Sequence, residues 1–317
     1  MRFFPRAWLL CGWLALTVCH AWALLPPRIV VPPNETGPAA AADRDRPVII
    51  GCWNLEWFPG RDPRGTDPRR AREQVAGVRQ VLAAQRPAVL FACEVRGLAE
   101  LRHFKRDYPF RACTEFPRPA GDEQSLPNQG LAILSRRPWT EIWALDFSGL
   151  PAAPNRPARG LLGVKFAPRG RPPLTLYGVH LKSNFGDPAA NRAKRAAAID
   201  YLEWDWQRRG LDPARDRIVI LGDFNSSVHD PVFARDQTLR RLFALGFTDA
   251  ADGLPADRRV TIPASGEGYP DNDFDHILVS PALRALTVTP PPWVTIVPVP
   301  FTVSDHYPLF LDADVWF

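Results

Sequence analysis

Cysteine is scarce in this 317-residue sequence, with five in all. None of them forms a Cys-x-x-Cys pair or clusters with histidine, so nothing points to a zinc centre built from thiolates and imidazoles. Internal repeats are absent, which sets aside solenoids and propellers. A run long enough to span a membrane is also missing. The N-terminal apolar stretch, Ala7 to Cys19, has about 13 residues where a helix crossing the hydrocarbon core needs roughly 20. Nor is charge of one sign in large excess. Lys and Arg number 39 against 34 Asp and Glu, a formal net charge of +5, and the pI is about 9.1. This mild basic balance suits a polyanionic substrate without identifying one. The rest is ordinary for a globular chain, with 46% hydrophobic and 23% charged residues, enough for one large core.

The short apolar stretch has another use. Arg2 and Arg6 precede it and the small-x-small pattern Ala21-Trp22-Ala23 follows it, so residues 1–23 are expected to be an export signal cleaved after Ala23. An uncleaved anchor is the weaker alternative. Cleavage places the mature chain outside the cytoplasm, secreted or periplasmic, as a monomer with no transmembrane segment and no stable protein partner implied. It also removes Cys11 and Cys19 and leaves Cys52, Cys93 and Cys113. At most one internal disulfide can then form, and three pairings are open in an oxidising compartment.

Residues 24–46 mix proline, alanine and charge without a sustained period, which predicts an extended linker, with the folded domain spanning 47–317. Asn34-Glu35-Thr36 fits a glycosylation acceptor, a pattern common by chance. Within the domain, Val48 to Trp53, Ala88 to Val95, Leu131 to Leu134, Leu161 to Phe166, Leu174 to His180, Ile218 to Leu221 and Ile277 to Val279 are short apolar or β-branched runs that predict strands. Two helices announce themselves by an Asp-Pro start. Asp67 caps one, with Ala71, Val75, Val78 and Leu82 at helical spacing. Asp187-Pro188 opens the other, with Ala193, Ala197, Tyr201 and Trp204 as its apolar stripe and Gly210 as its stop. Such alternation predicts an α/β layered domain, and the pattern alone leaves open whether the sheet is single, doubled or closed.

Polar residues able to hold a metal or move a proton recur at the carboxyl ends of these strands. The segments are Asn54-Leu55-Glu56, Cys93-Glu94, His180-Leu181-Lys182, Gly222-Asp223-Phe224-Asn225, Phe274-Asp275-His276 and Ser304-Asp305-His306. Side chains at strand ends of α/β sheets converge on a shared crevice, so one site can collect all six. Glu94 is the most telling, because Pro87 to Val95 is otherwise apolar and a carboxylate there needs a partner or a cation. Asp275 and His276 are consecutive, so on a strand only one faces the site, and Asp275 is the choice. Asp305 and His306 can both turn inward if a loop or bulge carries them. Glu56, two residues after Asn54, is expected on the same face of its strand. Lys182, Ser183 and Asn184 could donate hydrogen bonds to phosphate oxygens. His103 and His229 stand apart from any motif and are taken as surface residues, and Trp53, Trp57 and Trp139 as core or, at most, cleft lining. Carboxylate and amide oxygens suit Mg²⁺, Mn²⁺ or Ca²⁺, and with two histidines they form a set fit for hydrolysing a phosphodiester.

The ordered series N-L-E, C-E, H-L-K-S, G-D-F-N, F-D-H and S-D-H-Y-P resembles the motifs of the endonuclease/exonuclease/phosphatase superfamily over roughly residues 47 to 317. G-D-F-N and S-D-H are its specific members. The resemblance implies an α/β (α+β) fold of four layers, two packed β-sheets flanked by helices, with the active site at one edge of the sandwich. It implies that Asn54 and Glu94 hold the principal metal, with Asp305 a further ligand. Asp223 and Asn225 would bind or activate the attacking water and the scissile phosphate. His306 would be the main histidine, oriented by Asp275, and His180 the second histidine found in the deoxyribonuclease branch, with Glu115 or Glu123 as candidate partners. Arg159 resembles a phosphate-contacting arginine of that branch, and Glu56, Lys182 and Asn184 complete the substrate side. The implied function is a metal-dependent nuclease acting on DNA or RNA to leave 3′-hydroxyl and 5′-phosphate ends. Two alternatives stand beside it. One is a sphingomyelinase-like phospholipid phosphodiesterase, for which Pro291-Pro292-Trp293-Val294 is the candidate fragment of a membrane-inserting hairpin. The other is a catalytically inactive secreted binding protein of the same fold.

Overall fold

A computed structural model describes residues 24–38, 47–63, 67–117, 129–151, 153, 155–264, 270–287 and 289–317. The expected export signal lies outside the described residues, as does Glu123. The elements in chain order are β1 (Arg28–Val30), β2 (Asn34–Glu35), β3 (Ile49–Phe58), α1 (Pro68–Gln85), β4 (Val89–Val95), β5 (Phe110–Cys113), β6 (Gly130–Ser135), β7 (Glu141–Asp146), β8 (Leu161–Phe166) and β9 (Leu174–His180). There follow α2 (Pro188–Arg209), β10 (Arg217–Asp223), α3 (Thr238–Ala244), β11 (Thr248–Asp249), β12 (Asp275–Val279), α4 (Pro281–Arg284), β13 (Val294–Ile296) and β14 (Leu309–Asp312). A short 3₁₀ helix, Leu98–Phe104, follows β4.

The strands make two seven-stranded mixed sheets, ordered β1-β7-β8-β9-β10-β12-β11 and β13-β14-β3-β4-β6-β5-β2. Alternate side chains of the central strands are buried on both faces, which is why those strands read as nearly unbroken apolar runs. Ile50, Cys52, Val89 and Phe91 of the second sheet meet Leu162, Val164, Leu176, Val219 and Ile277 of the first in one core. Beyond the second sheet, Trp53, Leu55, Leu90 and Ala92 pack on Val75, Val78 and Leu82 of α1 and on Leu101 and Phe104. Beyond the first, Trp143, Tyr177, Ile218 and Ile220 pack on Ala198, Leu202 and Trp206 of α2 and on Leu239 and Leu242 of α3. Four layers result, as the resemblance implies. The sheets approach closely at Gly178 of β9, where an added Cβ would lie 1.8 Å from the Phe91 ring of β4.

Both expected helix starts are observed. Asp67 accepts from Arg69 N at 2.8 Å, Asp187 accepts from Ala190 N at 2.7 Å, and Gly210 closes α2 in the left-handed conformation. The stripe of α2 is shifted from the expected one, with Trp206 buried and Trp204 only partly so. A larger difference concerns residues 24–38, which were expected as linker. They lay an edge strand on each sheet, β1 antiparallel to β7 and β2 antiparallel to β5. Each pairing is three residues or fewer, too short to produce a period in the sequence. Cys52, Cys93 and Cys113 are all buried and free, so none forms the disulfide that the sequence would permit. Among the described residues no helix is long and apolar enough to cross a membrane.

Candidate active site

Two parallel strand pairs bring the polar residues together. β3 and β4 run parallel in one sheet and put Asn54 beside Cys93, while β9 and β10 run parallel in the other and put His180 beside Asp223. Asp275 opens β12, antiparallel to β10 and in register with Asp223. The loop leading into β14 supplies Asp305 and His306.

Backbone geometry departs from regular strand where the site begins. Glu56, Trp57, Glu94 and Asn225 all have positive φ, between 46° and 61°, and the registers of β3 and β4 are broken between Asn54 and Phe58 and between Ala92 and Val95. Non-glycine residues adopt this conformation at a cost, and such outliers concentrate at functional sites. Buried Gln74 of α1 holds the β3 bulge, donating to Leu55 O at 2.5 Å and to Val303 O at 3.1 Å while accepting from Gly60 N at 2.7 Å. A polar residue in the apolar stripe of α1 was the signal that could have revealed it.

At the centre, Asn54 Nδ2 donates to Asp223 Oδ2 at 3.1 Å and reaches Glu94 Oε1 at 3.4 Å. His306 Nδ1 lies 2.6 Å from Asp275 Oδ2, and His306 Nε2 lies 4.0 Å from Asp223 Oδ2. His180 Nε2 sits 3.5 Å from Asp223 Oδ2 and 3.7 Å from Glu94 Oε1. Asn225 N donates to Asp223 Oδ1 at 2.8 Å. Burial of these charges shifts their titration. Burial and the neighbouring Asp275 raise Asp223 to about 7, and burial, with Asp305 adding to it, raises Glu94 although Arg159 opposes. Burial works against a charged His306, yet Asp275, Asp305 and Asp223 outweigh it and hold the imidazole well above its ordinary range. His180 is driven well below that range by burial and by the positive charges of Arg159 and His306, which favours its neutral form.

Seven of the expected residues therefore meet in one cluster: Asn54, Glu94, His180, Asp223, Asn225, Asp275 and His306. Asp305 borders it. His276 turns away from it, as expected, and binds Asp249 Oδ2 at 2.6 Å and Ser226 O at 3.0 Å. The substrate-side residues are placed differently from expectation. The bulge swings Glu56 off the face of Asn54, and its carboxylate is held by Arg61 at 2.5 and 3.0 Å and by Asp305 N at 3.1 Å. Lys182 turns its ammonium back on its own loop, to Ser183 O at 2.9 Å and Phe185 O at 2.8 Å. The Asn184 amide bonds Asn225 O at 3.1 Å and accepts from Arg195 at 3.0 Å. Arg159 binds Leu181 O at 2.8 Å and the side-chain oxygen of Gln129, and its charge offsets Glu94 and Asp223. Glu115 is not the partner of His180, since it accepts from Leu98 N at 2.8 Å. Among the described residues His180 Nδ1 has no hydrogen-bond partner.

Trp53 belongs to the core rather than the cleft and has a second task. Its indole donates to His306 O at 2.9 Å, and Ser304 Oγ ties the same loop to Asn54 O at 2.7 Å. Sequence reasoning missed both of these positioning contacts.

Asp223, Asp275 and His306 offer ligand atoms within 4.8 Å of one another. One bond in that trio already joins His306 to Asp275, which makes it a histidine–carboxylate dyad facing a second carboxylate, Asp223. Asp275 Oδ1 and Asp305 Oδ1 are buried without a hydrogen-bond partner among the described residues. Orphaned carboxylate oxygens beside the protonation-prone Glu94 and Asp223 are what a hard divalent cation would satisfy, so the residues fit one. For Asn54 to join as a ligand its amide must turn, because Oδ1 now accepts from Glu56 N at 3.1 Å.

The model of the Endonuclease/Exonuclease/phosphatase family matches residues 51–306. No curated protein matches the sequence. Among solved structures, D. rerio TDP2 complexed with single strand DNA product is similar at 19% identity and TM-score 0.55, covering 84% of this chain and 98% of that one. The 3′-5′ exonuclease NExo from Neisseria meningitidis is similar at 20% identity and TM-score 0.55, covering 83% and 98%. Sphingomyelinase C from Streptomyces griseocarneus is similar at 15% identity and TM-score 0.54, covering 84% and 98%. At these identities the likeness concerns the fold.

Proposed function

Because the chain belongs to the endonuclease/exonuclease/phosphatase family of hydrolases, we propose that it is an exported, divalent-metal-dependent nuclease that hydrolyses DNA or RNA phosphodiesters to 3′-hydroxyl and 5′-phosphate ends. The observation that carries this reading is the convergence of the Asp275–His306 dyad, Asp223, Glu94 and Asn54 at one end of the sandwich.

Glu94, Asp305 and Asn54 would hold Mg²⁺, Mn²⁺ or Ca²⁺. When bound, the cation supplies charge neutralisation for the phosphoryl oxygens. The chain's own groups handle the protons. Asp223, raised to about 7, is matched to accepting a proton from an attacking water near neutral pH. His306 is kept protonated by Asp275 and turns Nε2 toward the same space, where it donates to a phosphoryl or leaving oxygen. Neutral His180 offers one further hydrogen bond there, and Arg159 lends positive charge behind the carboxylates.

The lipid alternative has less behind it. The fragment considered for a membrane hairpin runs into edge strand β13, and Trp293 packs against the core with its indole donating to Thr289 O at 3.1 Å. The test is nicking of supercoiled plasmid by residues 24–317 with each of the three cations. We expect activity that chelator abolishes and that His306→Ala lowers by about 10³-fold or more, as removal of a group acting on the transition state does. Folded protein that leaves plasmid and RNA intact would turn the assignment to a lipid or small phosphoester.

A further inference from the structure

Phe185 is 86% exposed, more than any other large hydrophobic residue described. Exposing a phenyl ring forgoes the free energy of its burial, and a mobile loop would let it fold back. This loop is fastened. Phe185 O accepts from Lys182 Nζ at 2.8 Å and from Asn191 Nδ2 at 3.1 Å. Arg195, itself buried against Asp236, donates to Lys182 O at 2.8 Å and to Asn184 Oδ1 at 3.0 Å. The other end of the Asn184 amide reaches Asn225 O at 3.1 Å, and Leu181 N bonds Asp223 O at 2.8 Å. The ring therefore stands out from a turn bonded directly to the strand end that carries the catalytic cluster.

Its surroundings select the partner. The Lys182 ammonium lies 2.8 Å from Phe185 O, and burial, the larger effect, joined by the charges of Arg159, Lys194 and Arg195, pushes its pKa down to about 8. A membrane-inserting loop presents several apolar side chains together, whereas Phe185 is flanked by Asn184, Gly186 and Asp187. One aromatic face among cations suits a nucleobase on an anionic strand.

We propose that Phe185 stacks on a base next to the scissile phosphate, so that the preferred substrate is a single strand or a frayed end, where a base face is free. This rests on the nuclease reading. The test compares cleavage of oligothymidylate with cleavage of an abasic chain of equal length, using the full mature protein with Mn²⁺. Phe185→Ala should lower kcat/KM for oligothymidylate about tenfold through KM, as loss of one stacked base does. The ratio of oligothymidylate to abasic cleavage should fall accordingly, and Phe185→Trp should restore it. An unchanged ratio, or an equal loss on both chains, overturns the stacking role while leaving the nuclease reading standing. A wild-type protein that nicks plasmid but cleaves neither chain overturns the single-strand preference and leaves the nuclease reading standing, and one that leaves both chains, plasmid and RNA intact overturns both. A Phe185→Ala defect confined to sphingomyelin vesicles assigns the ring to a membrane instead.

Discussion

Asp223 and Glu94 hold their protons more tightly than ordinary carboxylic acids do, because burial and each neighbour's negative charge disfavour ionisation. A bound cation disfavours those protons, directly on its ligand Glu94 and through its charge on neighbouring Asp223, so its affinity rises as pH climbs through the carboxyl pKa and levels off above it. With Asp223 near 7, one displaced proton makes Mn²⁺ binding about tenfold tighter at about pH 8 than at about pH 6. Calorimetry in two buffers of different ionisation heat reads both the affinity and the proton release, and a flat affinity across that range would contradict the placement of the ion. Most of the central residues were legible in the sequence because each ends an apolar run, where a polar side chain is conspicuous. Glu56 was misplaced because the two-residue period of a strand was extended through a bulge. Lys182 bonds its own loop and Asn184 reaches across to Asn225 O beyond β10, and neither bond leaves a trace in residue order.

Among the elements, the strands found from the sequence, β3, β4, β6, β8, β9, β10 and β12, are covered on both faces, and β7, covered on both faces too, was missed because acidic residues bound its four-residue apolar run, Ile142 to Leu145. The short strands β1, β2, β11, β13 and β14, and β5 near the edge, carry too few residues for an alternation to register. Helix starts were clear because Asp-Pro fixes both a capping oxygen and the first helical φ. Doubling of the sheet was implied by the motif series alone, since a strand buried on both faces looks the same beneath a helix or a second sheet. Gly178 marks where that second sheet arrives. In Gly178→Val the new side chain would collide with the Phe91 ring, and overpacking of this kind costs roughly 1–3 kcal/mol. Thermal unfolding should show a loss of several degrees, and Phe91→Leu in the same chain should recover part of it. A melting temperature equal to wild type would mean that the sheets do not meet there.

Viewed whole, the molecule is two sheets joined by a buried core, with residues 24–38 touching an edge of each. A chain beginning at residue 47 loses both edge pairings along with the Arg111–Glu35 ion pair and the hydrogen bond of about 3.1 Å from Tyr201 to Leu25 O. We expect it to melt several degrees below residues 24–317 and to retain hydrolysis, because none of the lost contacts involves the catalytic cluster. Equal stability of the two would return this segment to the role of a linker. The same strap also has a place in time. Its partners lie at residues 110–113 and 141–146, and contacts between distant parts of a chain form late. What the ribosome makes early is fastened late, so a processing point just ahead of Leu24 would stay open to a peptidase until both sheets have assembled.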